Sequence, residues 1–167
     1  VRFDGAEDSL PGPGVLDAIA DADVVVIAPS NPIVSIGPLL AVPGIADALR
    51  ARRADTVAVS PIVAGAALKG PADRLMRELG HEASVVGVAR LYRDLAATLV
   101  VDTADAGLAD AVESEGMACL VTDTIMSSPD VAAGLARRIL GMPAEDLTPD
   151  AGVTPAAGAS RNAEARR

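Results

Sequence analysis

The sequence predicts an α/β fold: a three-layer, mostly parallel, Rossmann-like sheet with helices on both faces, incomplete at its N-terminus. Three observations carry this expectation. Short runs of Val, Ile and Leu alternate with helical patterns along the chain. The runs are continuous rather than alternating, as in strands buried on both faces of a parallel sheet. Half of the 167 residues are hydrophobic, nearly all of them Ala, Val, Leu and Ile, with Phe3 and Tyr92 the only aromatics. That length suffices for one domain with a proper core.

Taken in order, Val1, Arg2 and Phe3 look like the end of a strand whose earlier part is missing, and without an initiator Met the chain reads as a fragment. Residues 5–14 form a turn-rich connection, and 15–21 are helical and apolar on one face. The β-branched run 24–27 is the first buried strand. A helix from Pro38 is expected to break near Pro43-Gly44 and resume through Ala51. A second unit repeats the logic, with a strand at 56–60, a loop at 61–70 and a helix at 71–79 ended by Gly80. Residues 84–89 read as a third strand and 90–97 as a short helical or turn segment. Strands at 98–102 and 118–121 flank a helix at 106–115, and 129–140 is a final amphipathic helix. From Gly141 the composition turns to Pro, Ala, Gly, Ser and charge, so residues 1–140 are expected to fold and 141–167 to form a tail, disordered over 148–167.

Composition narrows the function. A formal net charge of −9 argues against a general nucleic-acid binder, which needs a basic face. The one cysteine, Cys119, lies in an apolar run with no partner for a disulfide or a thiolate metal cluster, and is expected in the core, in a reducing compartment. With no signal peptide and no apolar run near 20 residues in length, the chain is expected to be soluble and cytoplasmic, with no membrane partner.

The stretch from Ala28 to Pro38, Ala-Pro-Ser-Asn-Pro-Ile-Val-Ser-Ile-Gly-Pro, is the first candidate site. It joins a buried strand to a helix, and small residues with free backbone N–H groups at such a junction suit an anionic ligand. Ser30, Asn31, Ser35, Ile36 and Gly37 are the candidates. An ordinary βα turn has the same look, with Ser35 capping the helix, Gly37 giving room and Pro38 in the first turn. Lys69, the only lysine, stands just before Gly70-Pro71, where it would either reach a phosphate as a point charge or be a solvated loop residue. Asp102 and Asp105 flank a strand end; two acids there are more often a cap and a solvated charge than a metal or proton site. If the strands are parallel, the loops after 30–31, 60–61, 89–90, 102 and 122 gather at one rim, where ligands bind in such sheets.

Several spaced motifs in one order resemble a known family. Pro29-Ser30-Asn31-Pro32-x-x-Ser35-Ile36-Gly37-Pro38 is followed by Val59-Ser60-Pro61-Ile62, Lys69-Gly70-Pro71, Tyr92-x-Asp94, Val101-Asp102-x-x-Asp105 and Thr122-x-Thr124-x-Met126. Over residues 22–140 this resembles the 2-phospho-L-lactate transferase family of coenzyme F420 biosynthesis, and the Ala- and Arg-rich composition points to its actinobacterial, phosphoenolpyruvate transferase branch. The resemblance implies transfer of a phospholactyl or enolpyruvyl-phospho group from a GDP-activated donor to the terminal hydroxyl of the deazaflavin Fo, with release of GMP and a requirement for Mg²⁺. In that frame Ser30, Asn31, Ser35 and the N–H groups of Ile36 and Gly37 would supply phosphate donors and Lys69 a fixed positive charge, while no catalytic residue is assigned.

The family pattern begins with a Gly-rich strand–loop–helix and acidic residues expected to hold the metal and contact Fo. Neither is present here, so the chain resembles the C-terminal portion, the Mg²⁺ ligands are expected in the N-terminal half, and Asp94, Asp102 and Asp105 are not assigned to the metal. Two alternatives stay open. One is a nucleotide-sugar-binding regulatory protein of the related gluconeogenesis-factor family, whose loop tends to read Gly-Pro-Gly-Ser-Leu-Tyr-Thr-Ser-Ile where this chain has residues 28–36. The other is an inactive fragment or a dimerisation half, with a homodimer as the assembly to consider.

Overall fold

The computed structural model describes residues 1–141. The predicted tail over 142–167 lies outside the described residues. Four parallel strands form the central sheet: β1 (Val25–Ile27), β2 (Thr56–Val59), β5 (Thr98–Val101) and β6 (Ala118–Val121), in the order β1-β2-β5-β6. The crossover from β1 to β2 carries α2 (Gly37–Ala41) and α3 (Ile45–Ala51), split by Pro43-Gly44 as the sequence predicts. Helix α1 (Val15–Asp21) precedes β1, and α6 (Ala109–Ser114) and α7 (Pro129–Ile139) lie either side of β6 in sequence.

Side chains alternate across the sheet with the period of two that a pleated strand imposes. Ile27, Ala58, Leu99 and Val101 join the larger core, against Leu49 of α3 and Val112 of α6. Val59 and Val100 face the other way and pack under Leu135 of α7. Full burial of each such aliphatic side chain contributes about 1.5–3 kcal/mol, so both layers stabilise the sheet. The expected three-layer arrangement is therefore present. Cys119, expected in the core, is half-buried against the larger cluster, where burial and then Glu113 raise its thiol pKa. Among the described residues no single helix is long and apolar enough to cross a membrane.

Three expectations are corrected. The run 84–89 is not a strand but the start of helix α5 (Val85–Tyr92). Ser84 takes extended backbone angles and its hydroxyl accepts from the Gly87 N–H at 3.1 Å, an N-cap that commits the chain to a helix. Residues 85–89 are all buried, and a helix whose first five residues are enclosed carries the same continuous apolar run as a buried strand. The region 61–70 is not a plain loop: β3 (Ile62–Val63) and β4 (Ala66–Ala67) form an antiparallel hairpin ahead of α4 (Ala72–Glu78). Residues 1–3 form no strand; the Phe3 ring lies over Gly37, where an added Cβ would stand 3.0 Å from Phe3 Cζ.

Tyr92 is 1 % exposed, its hydroxyl has no hydrogen-bond partner among the described residues, and burial pushes its pKa up. An unpartnered buried hydroxyl costs desolvation energy that no bond returns. Tyr92→Phe is therefore expected to melt at the same temperature as the parent or a few degrees higher, since about 1–3 kcal/mol is the range for such a penalty. A thermal melt monitored by circular dichroism checks this, and a clear fall would mean that the hydroxyl has a partner.

Candidate functional site

Because the strands are parallel, their C-terminal ends share one rim, and a cleft of about 610 Å³ opens there. Its walls come from separate crossovers: Pro29 and Asn31 after β1, Pro61 after β2, Leu68 and Lys69 after the hairpin with Ala72 of α4, and residues 124–127 after β6. Of the loops expected at this rim, those at 30–31 and 60–61 line the cleft through Asn31 and Pro61, whereas Asp102 and Thr122 do not line it and residues 89–90 belong to α5.

The β1 wall is built by Asn31. Its side-chain oxygen accepts from the N–H groups of Ile33 and Val34 at 2.9 and 3.2 Å, capping a π-helical turn, Pro32–Ile36. With that oxygen committed, Nδ2 is left without an acceptor among the described residues. The N–H groups expected to serve an anion at Ile36 and Gly37 are not free: Ile36 donates to Asn31 O at 3.0 Å and Gly37 to Pro32 O. The wider π turn consumes these donors internally, and the cap is Asn31 rather than Ser35. Ser35 is exposed, and neither it nor Ser30 lines the cleft. Asn31→Ala is accordingly expected to cost about 1 kcal/mol of stability, the usual worth of such a cap, whereas Ser35→Ala stays within about 0.5 kcal/mol. Denaturant titration of the two variants checks the contrast; equal losses would contradict it.

The opposite wall carries Lys69, which is exposed and has no carboxylate within ion-pair distance among the described residues. Beside it stand apolar side chains that remain in solvent, Leu68 at 55 %, Ile125 at 44 % and Met126 at 50 % exposure. The cleft thus pairs one cation with an apolar surface. Residues 124–127 were not singled out as a site from the sequence, although Thr124 and Met126 stand in one of its spaced motifs.

Behind the cleft lie Asp102 and Asp105, neither of them solvated as two acids on a loop would be: they are 6 % and 5 % exposed. Asp102 Oδ2 accepts from the N–H and hydroxyl of Thr124, each at 2.9 Å, and Oδ1 from the Ala104 N–H at 3.0 Å. Burial disfavours its charged form, but these donors outweigh burial and hold the carboxyl below its usual pKa. The resulting stabilisation is present above the unfolded carboxyl pKa and is lost as pH falls through the depressed folded value. Asp105 Oδ2 accepts from the Ala64 N–H at 2.9 Å. Carboxylates so engaged do not fit a Mg²⁺ site, and among the described residues no group of three or more His, Cys, Asp or Glu could hold a metal.

Comparison with known proteins gives this rim its context. The family model for 2-phospho-L-lactate transferase CofD matches residues 2–133. The chain is 45 % identical over 139 residues to a phosphoenolpyruvate transferase of Kitasatospora aureofaciens, covering 83 % of this chain and 43 % of that protein. A phosphoenolpyruvate transferase of Streptomyces griseus subsp. griseus is 44 % identical over 142 residues, with 84 % and 45 % covered. The chain therefore spans less than half the length of these relatives. A crystal structure of a Bacillus halodurans protein superposes with a TM-score of 0.50 at 21 % identity, over 80 % of this chain and 48 % of that one, and agrees in fold. Matched along most of its length, the chain belongs to the 2-phospho-L-lactate transferase family.

Proposed function

We propose that this chain is the donor-binding portion of a transferase of coenzyme F420 biosynthesis. The complete enzyme moves an enolpyruvyl-phospho or phospholactyl group from a GDP-activated donor to the terminal hydroxyl of the deazaflavin Fo. The observation that carries the reading is Lys69, an exposed cation that lines the rim cleft and has no carboxylate partner among the described residues. In the transfer, the Fo hydroxyl oxygen forms a bond to the phosphorus bearing the three-carbon group, the bond from that phosphorus to the GMP oxygen breaks, and the hydroxyl proton passes to solvent or buffer. Negative charge gathers on the leaving phosphate, where an ammonium lowers the barrier. The exposed Leu68, Ile125 and Met126 offer an apolar surface to the uncharged part of a substrate. The described carboxylates do not fit Mg²⁺.

Among the two three-carbon groups, the names of the actinobacterial relatives favour enolpyruvyl. The test is mass spectrometry of the products formed by the complete gene product from Fo and each GDP-linked donor. The expected result is the enolpyruvyl-phospho adduct of Fo together with GMP. Absence of an adduct from either donor would overturn the reading, and binding of a nucleotide sugar without transfer would favour a regulatory role.

A further inference from the structure

The two buried carboxylates after β5 touch neither the cleft nor each other's partners, yet each grips a segment that runs directly into a cleft wall. Asp105 accepts from the Ala64 N–H, in the turn of the hairpin whose second strand ends at Ala67 and runs directly into Leu68 and Lys69. That turn holds Ala64 at φ 50° and Gly65 at φ 77°, and positive φ is unfavourable for a residue with a Cβ. The Asp105 bond supplies a compensating contact at the strained residue. Asp102 accepts twice from Thr124, the first residue of the wall formed by 124–127. A third tie runs from the Thr103 hydroxyl to Asp123 at 3.0 Å, and the Asp105 N–H donates to Asp102 O at 2.9 Å, joining the two grips into one unit.

We propose that Asp102 and Asp105 are a paired brace of positioning residues: from one turn after β5, Asp105 sets the Lys69 wall and Asp102 sets the 124–127 wall. The spacing of the walls, and so the reach of Lys69 to a ligand phosphate, is fixed by residues that never meet the ligand. The ligand part of this inference rests on the nucleotide reading above; the brace itself does not.

The test has two arms. In the first, amide hydrogen exchange is followed residue by residue on the 167-residue chain without ligand. Asp105→Ala is expected to speed exchange at residues 64–69 by about tenfold or more while residues 124–127 and strand β5 stay as they were, and Asp102→Asn to do the reverse. Acceleration across β2 and β5 in either variant would mark a general loss of stability, and unchanged walls would show no grip; both results overturn the brace. Should Asp105→Ala fail to fold, Asp105→Asn retains an acceptor oxygen and is expected to show the same local pattern in weaker form. The second arm is a double-mutant cycle on GDP affinity in the complete gene product. Asp105→Ala is expected to weaken binding about tenfold beside Lys69 but less than about twofold beside Lys69→Gln, because it acts through that lysine. Additive losses would overturn the positioning role. If the parent binds no GDP, the nucleotide reading fails and the exchange pattern alone decides the brace.

Discussion

Gly87→Ala is expected to destabilise the protein by about 3 kcal/mol, the upper part of the range for overpacking a filled interior. A Cβ on Gly87 would sit 1.8 Å from the carbonyl oxygen of Glu82 and 2.8 Å from its carbonyl carbon. That backbone is not free to retreat. The Ser84 hydroxyl caps Gly87 N–H and donates to Glu82 Oε1 at 2.6 Å, while Glu82 Oε2 accepts from Arg90 at 2.7 Å. The same substitution at Gly134 in α7 meets nothing within 4 Å, so there the ordinary helix preference for Ala over Gly applies and a gain of about 0.5–1 kcal/mol is expected. At about 2–4 °C per kcal/mol for a chain of this size, the two variants should melt on opposite sides of the parent, Gly87→Ala lower by about 6–12 °C. A Gly87→Ala protein that melts at or above the parent temperature would contradict the close approach of Glu82.

That glycine also marks where the sequence stopped being legible. β1, β2, β5 and β6 could be placed because each is a short, mostly apolar run bounded by turn residues, and their parallel direction put the rim loops together. Helix α5 was hidden because its first five residues, 85–89, are all buried, which removes the apolar–polar contrast over the stretch read as a strand and leaves the Ser84 cap as the signal. The hairpin was hidden because its turn uses Ala64 where Asn or Asp usually stands, and the bond that supports Ala64 comes from Asp105, 41 residues away. The burial of Asp102 and Asp105 is likewise non-local, although the capping of Ala104 by Asp102 was readable from spacing. In the candidate site, Asn31 and Lys69 were visible as an Asn at a strand end and a lone lysine beside Gly-Pro. The availability of N–H groups at Ile36 and Gly37 was not, since it depends on whether the turn closes as an α or a π helix.

In the complete gene product, and on the transfer proposed above, Lys69→Gln is expected to lower kcat/KM for the proposed GDP-linked donor by about 10- to 150-fold, which corresponds to about 1.5–3 kcal/mol for a hydrogen bond to a charged group. The lysine is exposed at the rim, in no ion pair with the described residues, and its removal breaks no packing, so the melting temperature should stay with the parent's. Its position does not depend on its own charge, because the hairpin and α4 hold the backbone on either side. Lys69→Arg tests the geometry of the interaction: a planar fork on a longer stem differs from a compact ammonium, and incomplete rescue is expected if the ammonium acts as a point charge against phosphate oxygens. Salt provides an independent readout, since an exposed charge contact weakens as the screening length shortens. The parent's KM for the donor should therefore rise with ionic strength more steeply than that of Lys69→Gln. Steady-state kinetics with the donor varied at two salt concentrations, alongside a thermal melt, separates a phosphate contact from a solvated loop residue. For the latter, the substitution would change kcat/KM by less than about twofold, within the roughly 0.5 kcal/mol of ordinary surface positions, and leave the salt dependence as it was.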